Sequence, residues 1–203
     1  MILKINPDNP QQRLIDQVVE RLRTNAVICY PTDTGYGIGC DIFSAKGVKK
    51  IIQLKRRPKQ KPFSFVCSSL KHISEYAHVS NMAYRLMKKN LPGAYTFVLP
   101  GAKVVPKIMA TKQKTVGIRV PDSAICQLLV ERLGNPVVNT SIPVDEDAPR
   151  PTEAYEVEML LGNRVDVVID GGPVYSDPSS VIDLTGDYPE ILREGKGDIG
   201  MFL

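Results

Sequence analysis

The cationic side chains of this chain are unevenly distributed, and they are the groups best suited to bind an anion. The stretch from residue 46 to residue 61 contains no acidic residue but carries Lys46, Lys49, Lys50, Lys55, Arg56, Arg57, Lys59 and Lys61. A solvated face of a globular protein normally mixes both signs of charge. The stretch therefore predicts a binding site for a negatively charged partner. The alternative is that the cations at the helix C-terminus only stabilise the helix dipole, as they commonly do.

Two further arginines occur singly at the ends of predicted strands. Arg119 lies between Gly117 and Pro121, and Arg193 precedes Gly195. A strand-end arginine beside glycine or proline can project into the crevice at the edge of an α/β sheet, where such folds bind ligands. Hydroxyl and amide side chains at other strand ends can add neutral donors there, namely Asn139, Thr140, Ser141, Ser179 and Ser180.

A hydroxyl-rich turn and three alternating glycines follow the first buried strand. Thr32, Asp33 and Thr34 can either hold an amino acid or satisfy the backbone of the turn. Gly35, Gly37 and Gly39 do not have the spacing of a dinucleotide-binding fingerprint and lie inside a strand pattern. Glycines that alternate on a strand clear one face, so that either a ligand or another part of the protein comes close.

The sequence contains no motif typical of other kinds of catalysis. The chain has no Gly-Lys-Ser/Thr phosphate loop, no metal-ligand cluster and no nucleophile elbow. His72 and His78 lie in an ordinary helical segment without a serine or carboxylate pattern for a triad. If the chain is an enzyme, its sequence predicts catalysis by positioning anions.

Helices and strands are predicted to alternate along the chain. Apolar residues at helical spacing predict helices from the region of Pro10 to Thr24 and over residues 45–56, 70–76, 82–89, 125–132 and 153–161. Short apolar runs bounded by turn residues predict strands over residues 26–30, 35–42, 63–67, 95–99, 116–120, 137–140, 165–169, 181–184 and 190–193. This order predicts an α/β fold with a mixed sheet, and residues 143–151, with three prolines and three acidic residues, predict a loop.

The bulk properties limit the class of protein. With 203 residues, 43% of them hydrophobic, the chain is expected to form a single domain over residues 1–203. The apolar runs are too short for a membrane span, and the N-terminus lacks a secretory signal pattern, so a cytoplasmic location is expected. Cys29, Cys40, Cys67 and Cys126 are scattered among apolar residues and are expected to be buried free thiols.

Six motifs follow one another along the chain. They are Tyr30-Pro31-Thr32-Asp33-Thr34-Gly35-Tyr36-Gly37-Ile38-Gly39, Lys55-Arg56-Arg57-Pro58, Pro92-Gly93-Ala94-Tyr95-Thr96-Phe97-Val98-Leu99, Gly117-Ile118-Arg119-Val120-Pro121, Ser179-Ser180-Val181-Ile182-Asp183-Leu184 and Arg193-Glu194-Gly195. In their order and spacing they resemble the YrdC-type threonylcarbamoyl-AMP synthase family over nearly the whole chain, and the two ends look most like its YciO branch.

The resemblance implies a single-domain α/β (α+β) fold in which helices pack around an open twisted mixed sheet with a large basic cavity. It implies that threonine, bicarbonate and ATP, with Mg²⁺, form threonylcarbamoyl-AMP and pyrophosphate for the t6A modification of tRNA. Lys55 and Arg57 match the family's catalytic Lys-x-Arg motif and would face the triphosphate and bicarbonate. Residues matching the substrate and nucleotide cavity are Thr32, Thr34, Lys61, Thr96, Arg119, Thr140, Ser141, Ser179 and Arg193.

The chain departs from the family pattern at one position. The family has Ser-x-Asn, whereas this chain has Ser141-Ile142-Pro143, so a side-chain amide and a backbone N–H are lost. Two alternatives to the synthase therefore remain open. One is a non-catalytic module that binds double-stranded RNA or tRNA through the same basic cavity, and the other is a related adenylate-forming or hydrolysing enzyme with a different substrate.

Overall fold

The structure is a computed structural model in which residues 1–55, 63–106, 109, 114–145 and 148–203 are described. Ten strands form one sheet with the order β1-β8-β2-β3-β7-β4-β6-β5-β9-β10. In chain order the strands are β1 Ile2–Lys4, β2 Ile28–Thr32, β3 Gly35–Asp41, β4 Ser64–Val66, β5 Tyr95–Pro100, β6 Thr115–Arg119, β7 Val137–Ser141, β8 Val167–Asp170, β9 Ser180–Asp183 and β10 Glu190–Arg193.

The sheet is mixed, as its sequence predicts. Strand β8 runs parallel to β1 and β2, β4 is parallel to β6, and β5 is parallel to β9, while the remaining neighbours are antiparallel. The direct connection of β2 to β3 and of β9 to β10 makes these pairs antiparallel, because a short link reverses the chain. The sequence did not predict β1, which has only three residues and whose place at the sheet edge depends on pairing with β8, distant in sequence.

Six helices cover the sheet within the described residues: α1 Gln12–Arg23, α2 Ala45–Lys55, α3 Ile73–Tyr76, α4 Asn81–Asn90, α5 Ala124–Leu133 and α6 Ala154–Leu161. The predicted segment over residues 70–76 forms a 3₁₀ turn at Leu70–His72 followed by α3. Ser69 caps the 3₁₀ turn and Ser80 caps α4, since their side chains accept hydrogen bonds from the N–H groups of Lys71 and Ala83. The predicted helix over residues 45–56 is described as far as Lys55.

Two apolar clusters lie on opposite faces of the sheet. Successive strand residues point to opposite faces, so Cys29 joins one cluster and Tyr30 the other. Helices α2, α4 and α6 pack on the Cys29 side, and α1 and α5 pack on the Tyr30 side. On α1, Val18, Val19 and Leu22 of the predicted helical pattern are buried in this interface. Leu14, the fourth residue of that pattern, is partly buried, and its neighbour Ile15 is fully buried.

The four cysteines are buried free thiols, as their apolar surroundings predict. Burial raises the pKa of Cys67 to about 12, because an apolar environment disfavours the thiolate. Burial also raises the pKa of Cys40 and Cys126 to about 12. These thiols are therefore poor nucleophiles and serve the core as small apolar side chains.

Candidate functional site

A cavity of about 680 Å³ opens on the sheet and is the principal candidate site in the described part of the chain. Every strand except β1 and β8 contributes a residue to its wall, together with α2 and the loops before β4, α6 and β9. The volume lies within the range of roughly 300–1,000 Å³ that is typical of small-molecule sites. The sheet must therefore be curved, because strands far apart in its order line one space.

The charged residues among the described residues of the cavity wall are all cations. They are Lys55, Arg119, Arg150 and Arg193, and neither aspartate nor glutamate contributes to the lining. Hydroxyl and amide groups provide the other polar atoms, from Thr32, Thr34, Tyr36, Ser64, Thr96, Asn139, Thr140, Ser141, Ser176 and Ser179. Such a wall attracts anions and supplies hydrogen-bond donors to them.

Nine of the residues singled out in the sequence come together in this cavity, although they are scattered from β2 to β10. They are Thr32, Thr34, Lys55, Thr96, Arg119, Thr140, Ser141, Ser179 and Arg193. The two other candidates, Arg57 and Lys61, lie outside the described residues.

The Thr32-Asp33-Thr34 turn is held by its own side chains and by Arg119. Thr32 Oγ1 donates to the carbonyl of Gly35 at 2.7 Å and accepts the N–H of Thr34 at 3.1 Å. Gly35 has φ +112°, a conformation that other residues rarely adopt. Arg119 Nη2 donates to Thr34 Oγ1 at 2.8 Å and to Asp33 Oδ1 at 2.9 Å. The turn is thus structurally satisfied and still presents Thr32 and Thr34 to the cavity.

Asp33 has a structural role that the sequence pattern did not reveal. Its carboxylate forms an ion pair with Arg119 and also accepts the backbone N–H of Asp122 at 3.1 Å. Its carbonyl accepts a hydrogen bond from Lys196 Nζ at 2.6 Å. The turn is therefore attached to the ends of both β6 and β10. No local pattern could indicate these contacts, because the partners are more than 80 residues away.

Lys55 approaches the cavity from the C-terminal end of α2. Its Nζ donates to the carbonyl of Ser141 at 2.8 Å and lies 3.2 Å from Ser141 Oγ. These bonds hold an ammonium group beside the last residue of β7. The lysines of the cationic stretch have different partners, because Lys50 pairs with Asp166 at 2.9 Å. The expectation that this stretch serves an external anion is thus wrong for Lys50.

Arg193, Ser179 and Thr96 form a connected group in the part of the cavity wall built by β5, β10 and the loop before β9. Arg193 donates to the carbonyl of Ser179 from Nε at 3.0 Å and from Nη2 at 2.7 Å. The hydroxyls of Thr96 and Ser179 lie 2.9 Å apart. Partial burial lowers the pKa of Arg193, and the positive charges of Arg119 and Arg150 lower it further. The cations of the cavity thus repel one another in the absence of an anion.

A polar network lies beneath the cavity around Asn139 of β7. Tyr30 donates its hydroxyl to Asn139 Oδ1 at 2.8 Å, and Asn139 Nδ2 donates to Ser64 Oγ at 3.2 Å. A side chain at Gly37 would collide with Asn139, and one at Gly39 would collide first with the carbonyl of Val138 and also with the ring of Tyr30. The alternating glycines therefore make room for this network, while Gly35 and Gly37 also form part of the cavity wall.

The described residue ranges contain neither a metal-ligand cluster nor a membrane-spanning helix. These ranges contain no group of three or more histidine, cysteine, aspartate or glutamate side chains arranged to hold a metal ion. In the described residues, no helix combines the length and apolar character that crossing a bilayer requires. His72 forms a local pair with Glu75 on the surface, at 2.8 Å.

Known proteins share both the sequence and the fold of this chain. A family model for Sua5, YciO and YrdC proteins, described as "Telomere recombination", matches residues 20–195. The uncharacterized protein YciO of Escherichia coli K12 is 44% identical over 200 residues, which cover 98% of this chain and 97% of YciO. The chain belongs to the Sua5/YciO/YrdC family. Its resemblance to that family is thereby confirmed.

Members of the Sua5/YciO/YrdC family with solved structures have the same fold. The crystal structure of Escherichia coli YciO has a TM-score of 0.95 at 43% identity and covers 100% of this chain and 99% of that one. A crystal structure of Pyrococcus abyssi Sua5 complexed with L-threonine has a TM-score of 0.88 at 29% identity and covers 96% of this chain and 57% of that one. The expected α/β fold with an open mixed sheet is confirmed.

The Sua5/YciO/YrdC family also includes proteins named as enzymes. The putative threonylcarbamoyl-AMP synthase of Methanocaldococcus jannaschii is 32% identical over 197 residues, covering 96% of this chain and 92% of that protein. Identity to uncharacterized YciO, at 44%, is higher. The family thus contains synthases, and this chain is more similar to YciO than to that putative synthase.

Proposed function

We propose that this chain is a threonylcarbamoyl-AMP synthase-like nucleotidyltransferase, which joins threonine, bicarbonate and ATP and releases pyrophosphate. The observation that carries the proposal is the charge of the cavity, whose described wall contains four cations and no carboxylate. Bicarbonate, the threonine carboxylate and the polyphosphate of ATP are all anionic. A cavity of about 680 Å³ provides room for a nucleotide beside an amino acid.

The proposed chemistry needs positioning rather than a side-chain nucleophile. The threonine amine attacks bicarbonate and water leaves, so that a carbamate forms. A carbamate oxygen then attacks the α-phosphorus of ATP, and the bond to the β-phosphate oxygen breaks with release of pyrophosphate. Cations placed on both reactants favour this approach and offset the charge that develops in the transition state.

The residues of the cavity divide between the two reactants in this proposal. Lys55, held at Ser141, and Arg57 face the triphosphate and bicarbonate. The Thr32-Asp33-Thr34 turn, held by Arg119, takes the threonine. The remaining proposed contacts to substrate and nucleotide are Lys61, Thr96, Thr140, Ser141, Ser179 and Arg193.

Mg²⁺ enters the proposal as part of the substrate, Mg²⁺·ATP. The donors of the cavity wall are cationic or neutral, which suits phosphate oxygens and does not suit a metal ion held by protein carboxylates alone. When bound to the nucleotide, Mg²⁺ screens the charge of the departing pyrophosphate. The protein's own cations hold the phosphate oxygens that the metal leaves free.

The RNA-binding alternative is less well supported by the arrangement of the lysines. Within the described residues 46–55, Lys50 is engaged with Asp166 and Lys55 is directed to Ser141 inside the cavity, so these lysines do not form one continuous exposed surface. Of these described lysines, Lys46 and Lys49 are the ones exposed on α2 for phosphate-led RNA binding. Such binding would weaken steeply with salt.

The experiment that tests the proposal is an assay of pyrophosphate release with purified protein, Mg²⁺·ATP, threonine and bicarbonate. Release is expected only when all three substrates are present, and mass spectrometry should detect threonylcarbamoyl-AMP as the second product. Release that continues without threonine would indicate an enzyme with another substrate. Absence of release under every condition would overturn the proposal.

A further inference from the structure

Arg150 lines the cavity although it belongs to a segment that the sequence predicts only as a loop. It lies between β7 and α6, and its side chain is solvent-exposed. Prolines on both sides, Pro149 and Pro151, restrict the backbone and limit the positions that the side chain can reach. The arginine is therefore presented at the cavity from a stiff piece of chain.

The cavity arginines differ in how their charges are balanced. Arg119 is paired with Asp33 at 2.9 Å. Arg193 donates to the carbonyl and hydroxyl of Ser179, which are neutral groups. Arg150 forms neither an ion pair nor a hydrogen bond within the described part of the chain. Two of the three guanidinium groups therefore lack an anionic partner there.

Arg150 and Arg193 approach the cavity from distant parts of the sheet. Strands β7 and β10 are five positions apart in the strand order. Both side chains nevertheless line the same cavity, and the charge of Arg150 contributes to lowering the pKa of Arg193. The loop after β7 thus brings the charge of Arg150 to the same cavity as that of Arg193.

Bringing unpaired cations together costs free energy, and an anion bound between them offsets that cost. We propose that Arg150 is a phosphate-binding residue of this site, which together with Arg193 clamps the polyphosphate of the nucleotide. The inference rests on the proposed function for the identity of the nucleotide. A guanidinium fork suits phosphate oxygens, and a polyphosphate offers enough charge for two arginines and Lys55 together. The amino acid binds elsewhere, at the turn held by Arg119.

The inference is tested with inorganic pyrophosphate as the probe, titrated calorimetrically into the full-length protein and its variants. Arg150→Ala is expected to weaken pyrophosphate binding by about ten- to a hundredfold, the usual effect of losing a hydrogen bond to a charged group. The pyrophosphate affinity of Arg150→Lys should lie between those of the wild type and Arg150→Ala, because lysine keeps the positive charge but lacks the guanidinium fork. The matched control is Arg85→Ala, an exposed arginine on α4 outside the cavity wall, which should bind like the wild type.

The same titrations separate this inference from the proposed function. Equal pyrophosphate affinity in the wild type and Arg150→Ala would overturn the clamp and would leave substrate-dependent pyrophosphate release as a separate finding. Affinity that depends on Arg150, in a protein that releases no pyrophosphate from ATP, would support the clamp while overturning the proposed reaction. Threonine affinity should be the same in both proteins, and its loss in Arg150→Ala would place Arg150 at the amino acid instead.

Discussion

Arg119 and Asp33 form an ion pair at 2.9 Å in which their side chains are only 8% and 9% exposed. The pair joins the turn after β2 to the end of β6, two strands that are not neighbours in the sheet. Arg119 Nε is also buried and lacks a hydrogen-bond partner among the described residues. Arg119, which holds Thr34 at the cavity, thus has its buried charge compensated by a single carboxylate, that of Asp33.

Asp33→Asn is expected to destabilise the protein, because it leaves the Arg119 guanidinium buried without its counter-charge. Removing one partner of a buried pair typically costs about 3–5 kcal/mol. Urea unfolding measures the change, with Asp187→Asn, an exposed aspartate before β10, as the control. If the two variants were equally stable, the pair would contribute nothing to folding.

Gly37→Ala tests whether the strand glycines make room for the network around Asn139. A methyl group at Gly37 would lie 2.6 Å from Asn139 Oδ1, so the amide must move away from the Tyr30 hydroxyl. We expect a loss of about 1–3 kcal/mol in the free energy of unfolding. Gly186→Ala is the control, since its new methyl group would meet only Tyr188 O, at 3.9 Å. A Gly37→Ala protein as stable as this control would contradict the packing argument.

The ion pair between Asp166 and Lys50 predicts a dependence of stability on pH. Burial tends to raise the pKa of Asp166, but the N–H of Val27 and the Lys50 ammonium outweigh it, so the pKa is lowered. A carboxyl with a lowered folded-state pKa stabilises the protein above its unfolded value of about 3.9 and loses that effect as the pH falls through the folded value. Because the side chain is 38% exposed, we expect only about 1 kcal/mol.

Unfolding of Asp166→Asn and wild type between neutral and acidic pH checks this expectation. The difference in the free energy of unfolding should be constant near pH 7 and should shrink below a pH of about 4. A difference that grew on acidification would mean that the carboxyl is stabilised in its protonated form, which the hydrogen bond from Val27 at 2.7 Å does not allow.

Pro143→Asn should raise activity in the proposed reaction. Asparagine restores a side-chain amide and a backbone N–H two residues beyond Ser141, which lines the cavity. A hydrogen bond to a charged group can contribute roughly 1.5–3 kcal/mol, or about one to two orders of magnitude in rate or binding. Pyrophosphate release measures the gain, and Pro7→Asn, at an exposed proline outside the cavity wall, is the control. Equal activity in both variants would show that Pro143 is not the limiting departure.

Much of the fold could be predicted from local pattern, because apolar spacing reports which face of an element is buried. The spacing of Leu14, Val18, Val19 and Leu22 predicted α1, and the short run ending in Tyr30 predicted β2. Strand β1 was missed since three residues, Ile2–Lys4, carry too little pattern to show a strand that exists only through its pairing with β8.

The site could be predicted only in part, because a local pattern shows where a strand ends but not which distant residues lie beside that end. Strand-end positions such as Arg119 and Arg193 indicated ligand contacts, but their neighbours in space come from turns and loops distant in sequence. Arg150 was therefore missed, since its segment reads as an acidic, proline-rich loop and only the folded chain brings it to the cavity. The pairing of Lys50 with Asp166 was likewise hidden by a separation of 116 residues.

The most direct test of the central claim is pyrophosphate release by the Lys55→Ala protein in the presence of Mg²⁺·ATP, threonine and bicarbonate. Lys49→Ala is the control, because Lys49 is exposed on the same helix and does not line the cavity. We expect release to fall about a hundredfold in Lys55→Ala, the usual effect of removing one group that stabilises the transition state, and to be unchanged in Lys49→Ala. Equal release by the two variants would contradict the account.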